Sequence, residues 1–236
     1  MKFEKYESRF QAGQILADFI LKSSADLKSK LDRLIDRFFV FAIPNGGVSV
    51  AEGFCKKLDL KYDIIVVRKI KIPFNTEAGF GSITPDGTIL INKPLLNSLN
   101  LSKSQLEKSI ETTKNEIKER IKFYNKNPEL NEAYRKLIEN QYIVLMDDGL
   151  ASGFTMLAAI QMIKKYNPAK TYIAVPTAPI HTISRVQKEV SEVFCPNSRN
   201  TMWFAVADAY QYWYDVPESE VLEIIKKSKF YFDNIT

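Results

Sequence analysis

Short apolar runs separated by amphipathic segments predict an α/β protein. Residues 37–43 and 142–146 are continuous apolar runs, as expected for strands buried on both faces of a parallel sheet. Similar runs at 63–68 and 170–176, and a shorter one at 192–195, predict further strands. Because predicted helices alternate with these strands, the pattern indicates right-handed βαβ units in one parallel sheet.

Helical spacing of apolar residues marks four segments, at 11–21, 48–58, 156–164 and 218–227. A fifth helix is predicted from the capping box Ser102-x-x-Gln105 to about Tyr124. Its polar positions mix Lys, Glu and Arg, which favours a solvated face over a nucleic-acid surface.

Between residues 69 and 92 the pattern changes to short β-like pieces interrupted by proline and glycine. Asp86-Gly87 between two apolar pieces predicts a hairpin turn. A long connection of this kind inside a compact domain is usually functional. We therefore expect residues 69–82 to be a mobile lid over a binding site.

Composition narrows the choice of partner and compartment. The chain has 236 residues, with 33 basic and 28 acidic side chains and a net charge of +5. These interspersed charges fit an anionic small molecule better than a polynucleotide. Cys55 and Cys195 lack zinc-type spacing and predict reduced, mostly buried thiols. We expect a cytoplasmic protein, because the N-terminus lacks an apolar h-region and no stretch approaches the ~20 apolar residues that span a bilayer.

The most specific chemistry follows the run at 142–146. Asp147 and Asp148 come first, and then a turn over residues 149–155 that is rich in glycine and hydroxyl side chains and opens a helix. Glycine permits close backbone approach, and amides at a helix start attract phosphate. A phosphate would bind at this turn while the carboxylates reach vicinal hydroxyls of an attached ribose. The alternative is that these residues only cap the helix.

The string Asp-Asp-Gly-x-x-Ser-Gly-x-Thr at 147–155 resembles the ribose-5-phosphate motif of type I phosphoribosyltransferases, which use phosphoribosyl pyrophosphate (PRPP) and Mg²⁺. Segments 41–48, 65–70, 75–81 and 204–210 follow the order seen in a largely uncharacterised group of these enzymes. The resemblance covers nearly the whole chain. It implies an α/β fold with a three-layer parallel sheet, a flexible β-hairpin loop and a small hood.

On this resemblance, residues 1–236 form a single domain, with the core at about 35–200 and the hood formed by the N-terminal segment, by 201–236, or by both. The implied reaction transfers phosphoribosyl from PRPP to an unidentified, purine-like acceptor and releases pyrophosphate. Mg²⁺ would be held mainly by PRPP and water, with no residue assigned as its direct ligand. We expect a homodimer with no nucleic-acid or membrane partner. The alternative function is a non-catalytic PRPP or nucleotide sensor.

The resemblance also assigns site residues. Asp147 and Asp148 would contact the ribose, and Arg68 and Lys69 would be catalytic cations at the start of the mobile loop, unless they are only a surface pair. The 5′-phosphate loop would comprise Ala151, Ser152, Gly153, Phe154 and Thr155. The pyrophosphate loop would comprise Pro44, Asn45, Gly46 and Gly47, although Gly-Gly also suits an ordinary turn.

The sequence departs from the family at Asn45, a position that is commonly Arg. Either diphosphate binding is weaker here or another residue supplies the charge. Sensor function is favoured by Asn45, whereas the retained Arg68-Lys69 and the long loop favour an enzyme.

The acceptor pocket is assigned to three aromatic residues, Phe204, Tyr210 and Trp213. The alternative is that they are core or dimer-interface aromatics. Gln211 replaces the carboxylate that commonly recognises a purine. Glu77 is a candidate base, ligand of a Mg²⁺-bound water or hinge contact, and His181 has no recognisable nucleophile partner nearby.

Overall fold

The protein is described by a computed structural model that covers residues 4–126, 130–201 and 203–232, apart from the side chains at 76, 77 and 130. The strands are β1 (Phe38–Ala42), β2 (Tyr62–Ile64), β3 (Arg68–Ile72), β4 (Asn75–Ile83), β5 (Ile89–Ile91), β6 (Tyr142–Met146), β7 (Lys170–Ala174), β8 (Thr177–Pro179), β9 (Glu192–Phe194) and β10 (Asn197–Arg199). The helices are α1 (Arg9–Ser23), α2 (Ala25–Leu34), α3 (Gly46–Leu58), α4 (Lys93–Ser98), α5 (Lys103–Phe123), α6 (Leu130–Ile138), α7 (Phe154–Lys164), α8 (Ile180–Val186) and α9 (Glu218–Lys227).

The central sheet has five parallel strands in the order β2-β1-β6-β7-β9. An antiparallel sheet β3-β4-β5 and a parallel pair β10-β8 accompany it. The predicted α/β fold with a central parallel sheet is therefore confirmed.

Alternate residues of the central strands pack into different cores, because side chains alternate between the two faces of a sheet. Val40 and Ala42 join a core with residues of α1, α3 and α9. Phe39 and Phe41 join a second core with residues of α6 and α7. Helices therefore cover both faces, which gives the three layers expected.

The register of β1 and β6 positions the candidate site. Ala42 lies opposite Met146, and the Ile43 amide donates to the Met146 carbonyl at 2.8 Å. The chain therefore leaves both strands at the same edge, so residues 44–47 and the two aspartates emerge side by side.

One predicted strand is wrong in its second half. The apolar run at 63–68 pairs with β1 only up to Ile64, and Arg68 instead begins β3 in the antiparallel sheet. The backbone turns here, since the Val67 amide donates to the Ile65 carbonyl at 3.0 Å. Val66 and Val67 remain buried after the turn. The apolar run therefore reflects burial rather than continued strand pairing.

Three predictions from sequence are confirmed. Gly87 has a φ of +82° in the turn between β4 and β5. At the start of α5, Ser102 and Gln105 make both hydrogen bonds of the capping box. Cys55 and Cys195 are free thiols, the first buried and the second half-buried, as predicted. Within the described ranges, every helix is too short or too polar to cross a bilayer.

Residues 69–82 lie largely in the β3–β4 hairpin, which turns at Pro73 and Phe74. Phe74 is 69% exposed at this tip. The segment before α1 pairs with the chain near Tyr210, through Tyr6 N–H to the Ala209 carbonyl at 2.9 Å and Gln211 N–H to the Tyr6 carbonyl at 2.8 Å. The segment around Tyr6 and the segment around Tyr210 are thus paired near the carboxyl edge of the sheet.

Candidate active site

The carboxylates that end β6 lie in a half-buried position. The Asp148 amide donates to Asp147 Oδ1 at 2.8 Å, which fixes the first side chain against the backbone of the second. Burial raises the pKa of Asp147 well above its ordinary value, and the neighbouring charge of Asp148 raises it further. Burial also raises the pKa of Asp148, whereas Arg9 partly offsets that rise. A cation or hydroxyl donor that binds beside the pair would therefore stabilise its charged form.

Arg9 is a site residue that the sequence analysis did not identify. Its Nε donates to Asp148 Oδ2 at 2.8 Å, although the side chain comes from the first turn of α1. The guanidinium lies 4.1 Å from the centroid of the Trp213 ring, and the rings of Tyr210 and Tyr214 are 5.6 and 5.4 Å away. A cation at a helix N-terminus is unfavourable for the helix dipole. That misplacement was a signal that Arg9 serves a partner elsewhere.

Side chains of α8 hydrogen-bond to the backbone of the candidate phosphate loop. Thr182 Oγ1 donates to the Ala151 carbonyl at 2.7 Å, and Arg185 Nη1 donates to the Ser152 carbonyl at 2.9 Å. Gly153 begins α7 with a φ of +77°, and a Cβ there would lie 2.9 Å from Thr182 Cγ2. The loop carbonyls are thus turned toward α8.

No side-chain cap bond forms at the start of α7 among the described residues. The Phe154 amide lies 3.5 Å from Ser152 Oγ, which is long for a hydrogen bond. Thr155 follows in the first turn and is half-buried. These amides and hydroxyls can therefore serve an anion, as amides at helix starts commonly do.

The candidate pyrophosphate loop packs directly against the two aspartates. Its Pro44–Asn45 peptide bond is cis. A Cβ at Gly46 would lie 1.9 Å from Asp148 Oδ2, and one at Gly47 would lie 3.0 Å from the Asp147 Cα. A side chain at Gly46 would displace the Asp148 carboxylate and one at Gly47 would push on the backbone of Asp147, so the glycine pair has a specific packing role here.

Asn45 bridges the loop to α5. Its Oδ1 accepts hydrogen bonds from Arg120 Nη1 at 2.9 Å and from the Tyr124 hydroxyl at 3.4 Å. Its Nδ2 donates to the Val216 carbonyl at 2.6 Å. Arg120 also pairs with Glu218 of α9 at 2.5 Å. Arg120 was not predicted as a site residue, although its spacing of four residues from Tyr124 places both on one face of the helix.

The two predicted catalytic cations occupy different environments. Arg68 pairs with Glu116 of α5, with its Nη2 3.2 Å from Glu116 Oε2. Lys71 shares that carboxylate through Oε1 at 3.5 Å. Lys69 is exposed at the start of the hairpin. Their catalytic role stays a prediction.

The proposed acceptor aromatics differ in exposure. Tyr210 is only 2% exposed and donates from its hydroxyl to the Asp148 carbonyl at 2.7 Å, so it supports the strand end and resembles the core alternative. Trp213 is 38% exposed and packs on Tyr210, with ring centroids 5.6 Å apart. Phe204 is half-buried.

The remaining candidates contribute little to this geometry. His181 and Gln211 are exposed, and the side chain of Glu77 lies outside the described residues. In the described part of the chain, no three His, Cys, Asp or Glu side chains are grouped to hold a metal ion. The two aspartates could contribute oxygen ligands to a divalent cation only if its other ligands came from substrate or water.

The chain resembles two curated proteins of Mycobacterium tuberculosis, from strains CDC 1551 / Oshkosh and ATCC 25618 / H37Rv, named "Putative phosphoribosyl transferase MT0597" and "Putative phosphoribosyl transferase Rv0571c". Each is 28% identical over 189 residues, which is 80% of this chain and 41% of the relative. The chain thus spans about two fifths of the length of these relatives.

Among solved structures, that of TT1426 from Thermus thermophilus shares the fold, with a TM-score of 0.66 and 24% identity. The match covers 94% of this chain and 97% of the other. The phosphoribosyl transferase domain family matches this sequence over residues 11–213, and the chain belongs to that family.

Proposed function

We propose that the protein transfers the 5-phosphoribosyl group from PRPP to a small-molecule acceptor, with a purine-like nucleobase as the first candidate, and releases pyrophosphate. Family membership supports the transferase class. The observation that carries the proposal is the close packing of Gly46 on Asp148, where a Cβ would lie 1.9 Å from Oδ2. Because of this contact, the candidate pyrophosphate loop and the candidate ribose carboxylates lie directly beside each other.

In this reaction the acceptor attacks ribose C1 as pyrophosphate leaves. Positive charge develops on the sugar and negative charge on the leaving group, so the two parts of the site need opposite electrostatics. Asp147 and Asp148 would accept hydrogen bonds from the ribose hydroxyls and favour the positive sugar. Backbone amides of residues 44–47 and of the α7 start would bind the two phosphate ends.

Mg²⁺ fits this site in part. Asp147 and Asp148 are half-buried carboxylates whose pKa values are raised by burial, and they offer the hard oxygen ligands that Mg²⁺ prefers. Two adjacent carboxylates are too few for a closed shell and are assigned to the ribose hydroxyls, so PRPP and water would mainly hold the ion. Once bound, the ion would offset the charge that accumulates on the leaving diphosphate.

We also propose a cytoplasmic homodimer that acts on small molecules.

A sensor that binds PRPP without turnover is the second candidate. Asn45 favours it, because that position lacks the cation common in the family. The hairpin that begins with Arg68 and Lys69 favours the enzyme, because a sensor has less need of a lid.

The test is a screen of nucleobases with PRPP and Mg²⁺, following pyrophosphate release. The matched control is the double variant Asp147→Asn/Asp148→Asn, which keeps the shape of the site and removes both charges. We expect one base to support release by the unmodified protein and a large loss in the variant, while inorganic phosphate binding falls far less. Tight PRPP binding without release with any base would favour the sensor.

A further inference from the structure

The candidate pyrophosphate loop carries no cationic side chain of its own, since Asn45 stands at the position that is commonly Arg. We infer that Arg120 of α5 is a diphosphate-binding residue that supplies this missing charge from beside the loop. This inference rests on the proposed function, because it assigns the loop to a diphosphate. It also explains why Asn45 is compatible with binding.

Arg120 is held in a fixed position beside the loop. One nitrogen, Nη1, donates to Asn45 Oδ1 at 2.9 Å, and another, Nη2, contacts Glu218 Oε1 at 2.5 Å. The side chain is 16% exposed, so it is neither free in solvent nor sealed in the core. A guanidinium has five N–H donors, and these two contacts leave others that can serve an incoming anion.

Asn45 orients this cation without adding a charge of its own. Its Oδ1 accepts a hydrogen bond from Arg120, and its Nδ2 donates to the Val216 carbonyl at 2.6 Å. An arginine at position 45 would bring a second guanidinium against Arg120 and remove the acceptor that orients it. An arginine at position 45 would therefore repel Arg120 in its present position. The charge is carried by the helix in this chain rather than by the loop.

The surroundings of Arg120 carry an excess of positive charge. Among the described side chains, three cations, Arg68, Lys71 and Arg120, share two carboxylates, Glu116 and Glu218, which leaves one positive charge in this cluster. Burial lowers the pKa of Arg120, and the nearby charge of Arg68 lowers it further. Arginine still remains protonated at physiological pH. An anion bound here would relieve the repulsion between the two guanidiniums.

The competing explanation is that Arg120 only ties α5 to the loop and to α9. Calorimetry separates the two explanations, with inorganic pyrophosphate plus Mg²⁺ as one ligand and ribose 5-phosphate as the other. Arg120→Gln should weaken pyrophosphate binding by about tenfold or more, as loss of one charge-assisted hydrogen bond would. Ribose 5-phosphate affinity should remain within about twofold, because its phosphate site lies at the start of α7. Lys118→Gln removes an exposed charge from the same helix and should change neither affinity.

A charge transposition gives the sharper test. Asn45→Arg/Arg120→Asn returns the cation to the loop and the amide to the helix, and should recover most of the pyrophosphate affinity lost in Arg120→Asn. Asn45→Arg alone should not strengthen binding. Arg120→Lys, which keeps the charge, should retain more affinity than Arg120→Gln at an equal melting temperature, and this comparison decides the matter if the transposed variant does not fold.

Three results would overturn the inference: an unmodified protein that does not bind pyrophosphate at millimolar concentration, an unchanged pyrophosphate affinity in Arg120→Gln, or equal losses for both ligands. These outcomes are distinct from failure of the proposed transferase function. A protein that binds pyrophosphate through Arg120 but releases none from PRPP would be a sensor, and the role of Arg120 would stand. Normal turnover with an unaffected Arg120→Gln variant would remove the role of Arg120 and leave the transferase function in place.

Discussion

Arg9 and Asp148 form an ion pair that joins the first helix to the end of the central strand β6, with Nε and Oδ2 2.8 Å apart. The side chains are 6% and 15% exposed, so water screens the pair poorly. Trp213 covers the guanidinium at 4.1 Å from its ring centroid. The candidate ribose carboxylate is thus oriented by a residue that lies 139 positions earlier in the chain.

Removing Arg9 should therefore cost stability. Arg9→Met leaves the half-buried Asp148 without its cation and should lower the free energy of unfolding by roughly 3 kcal/mol at pH 7. The loss should shrink toward about pH 4, because Asp148 can then fold in its neutral form. Urea denaturation at both pH values provides the measurement. Arg33→Met, an exposed position in α2, is the control and should change little. Equal stability of Arg9→Met and the unmodified protein would contradict the importance of the pair.

Asp147→Asn should stabilise the protein, and the gain should depend on pH. The folded pKa of Asp147 is raised by burial and by Asp148, so the folded state holds its proton at pH values where the unfolded state has lost it. Stability contributed by that proton is fully present below about pH 4 and is lost as pH rises through the folded pKa. The melting temperature of Asp147→Asn should therefore exceed that of the parent at pH 7–8.

The same difference should nearly vanish near pH 3, about one unit below the ordinary Asp pKa of about 3.9, where Asp147 is neutral in both states. Melting curves recorded between about pH 3 and pH 8 would check this. Asp32→Asn, exposed on α2, provides the matched control and should follow the parent at every pH. A constant difference across the range would mean that the effect of the substitution is steric rather than ionic.

Local features were predictable from sequence, whereas long-range partners were not. Three predicted features depend on residues within a few positions of one another: the capping box at Ser102, the turn at Gly87 and the strand that precedes Asp147. Arg9 lies 139 positions from Asp148, and Arg120 lies 75 positions from Asn45. No periodicity of the intervening chain encodes these pairings, which only the assembled fold brings together.

The end of β2 shows a different limit. The run after Ile64 is as apolar as a buried strand, yet Val66 and Val67 are buried without joining the central sheet. Hydrophobicity predicts burial, and it does not specify the partner strand. The prediction therefore placed Arg68 at the end of one strand when it begins another.

Thr155→Ala tests the assignment of the phosphate loop. The hydroxyl lies in the first turn of α7, so its loss should weaken binding of ribose 5-phosphate by about tenfold, as for one hydrogen bond to a charged group. The urea midpoint should not change, because Thr155 is only half-buried. Thr112→Ala, exposed on α5, serves as the control. An affinity equal to that of the parent in calorimetry would remove Thr155 from the phosphate site.

The β3–β4 hairpin is the remaining candidate for movement. Its base is held by Arg68 on Glu116 at 3.2 Å, while its tip carries Phe74, which is 69% exposed. The pairing shifts register on both sides of Lys71, so the outer part of the hairpin is less regular than its base. Such an arrangement suits a lid that opens at the tip, and the oxocarbenium-like state of the reaction must be kept from water.

We therefore expect hydrogen exchange over residues 71–79 to be fast in the free protein and slower with PRPP and Mg²⁺. Residues 81–83 should exchange slowly in both states, because they pair with β3 and with β5. The central strand Tyr142–Met146 is the internal control and should be protected throughout. Lys69 pairs with Ser82 in the base of the hairpin, so closure of the tip would leave its backbone in place. If exchange over 71–79 is already slow without ligand and does not respond to it, the lid role is wrong, and the hairpin is a fixed wall of a site better suited to sensing than to transfer.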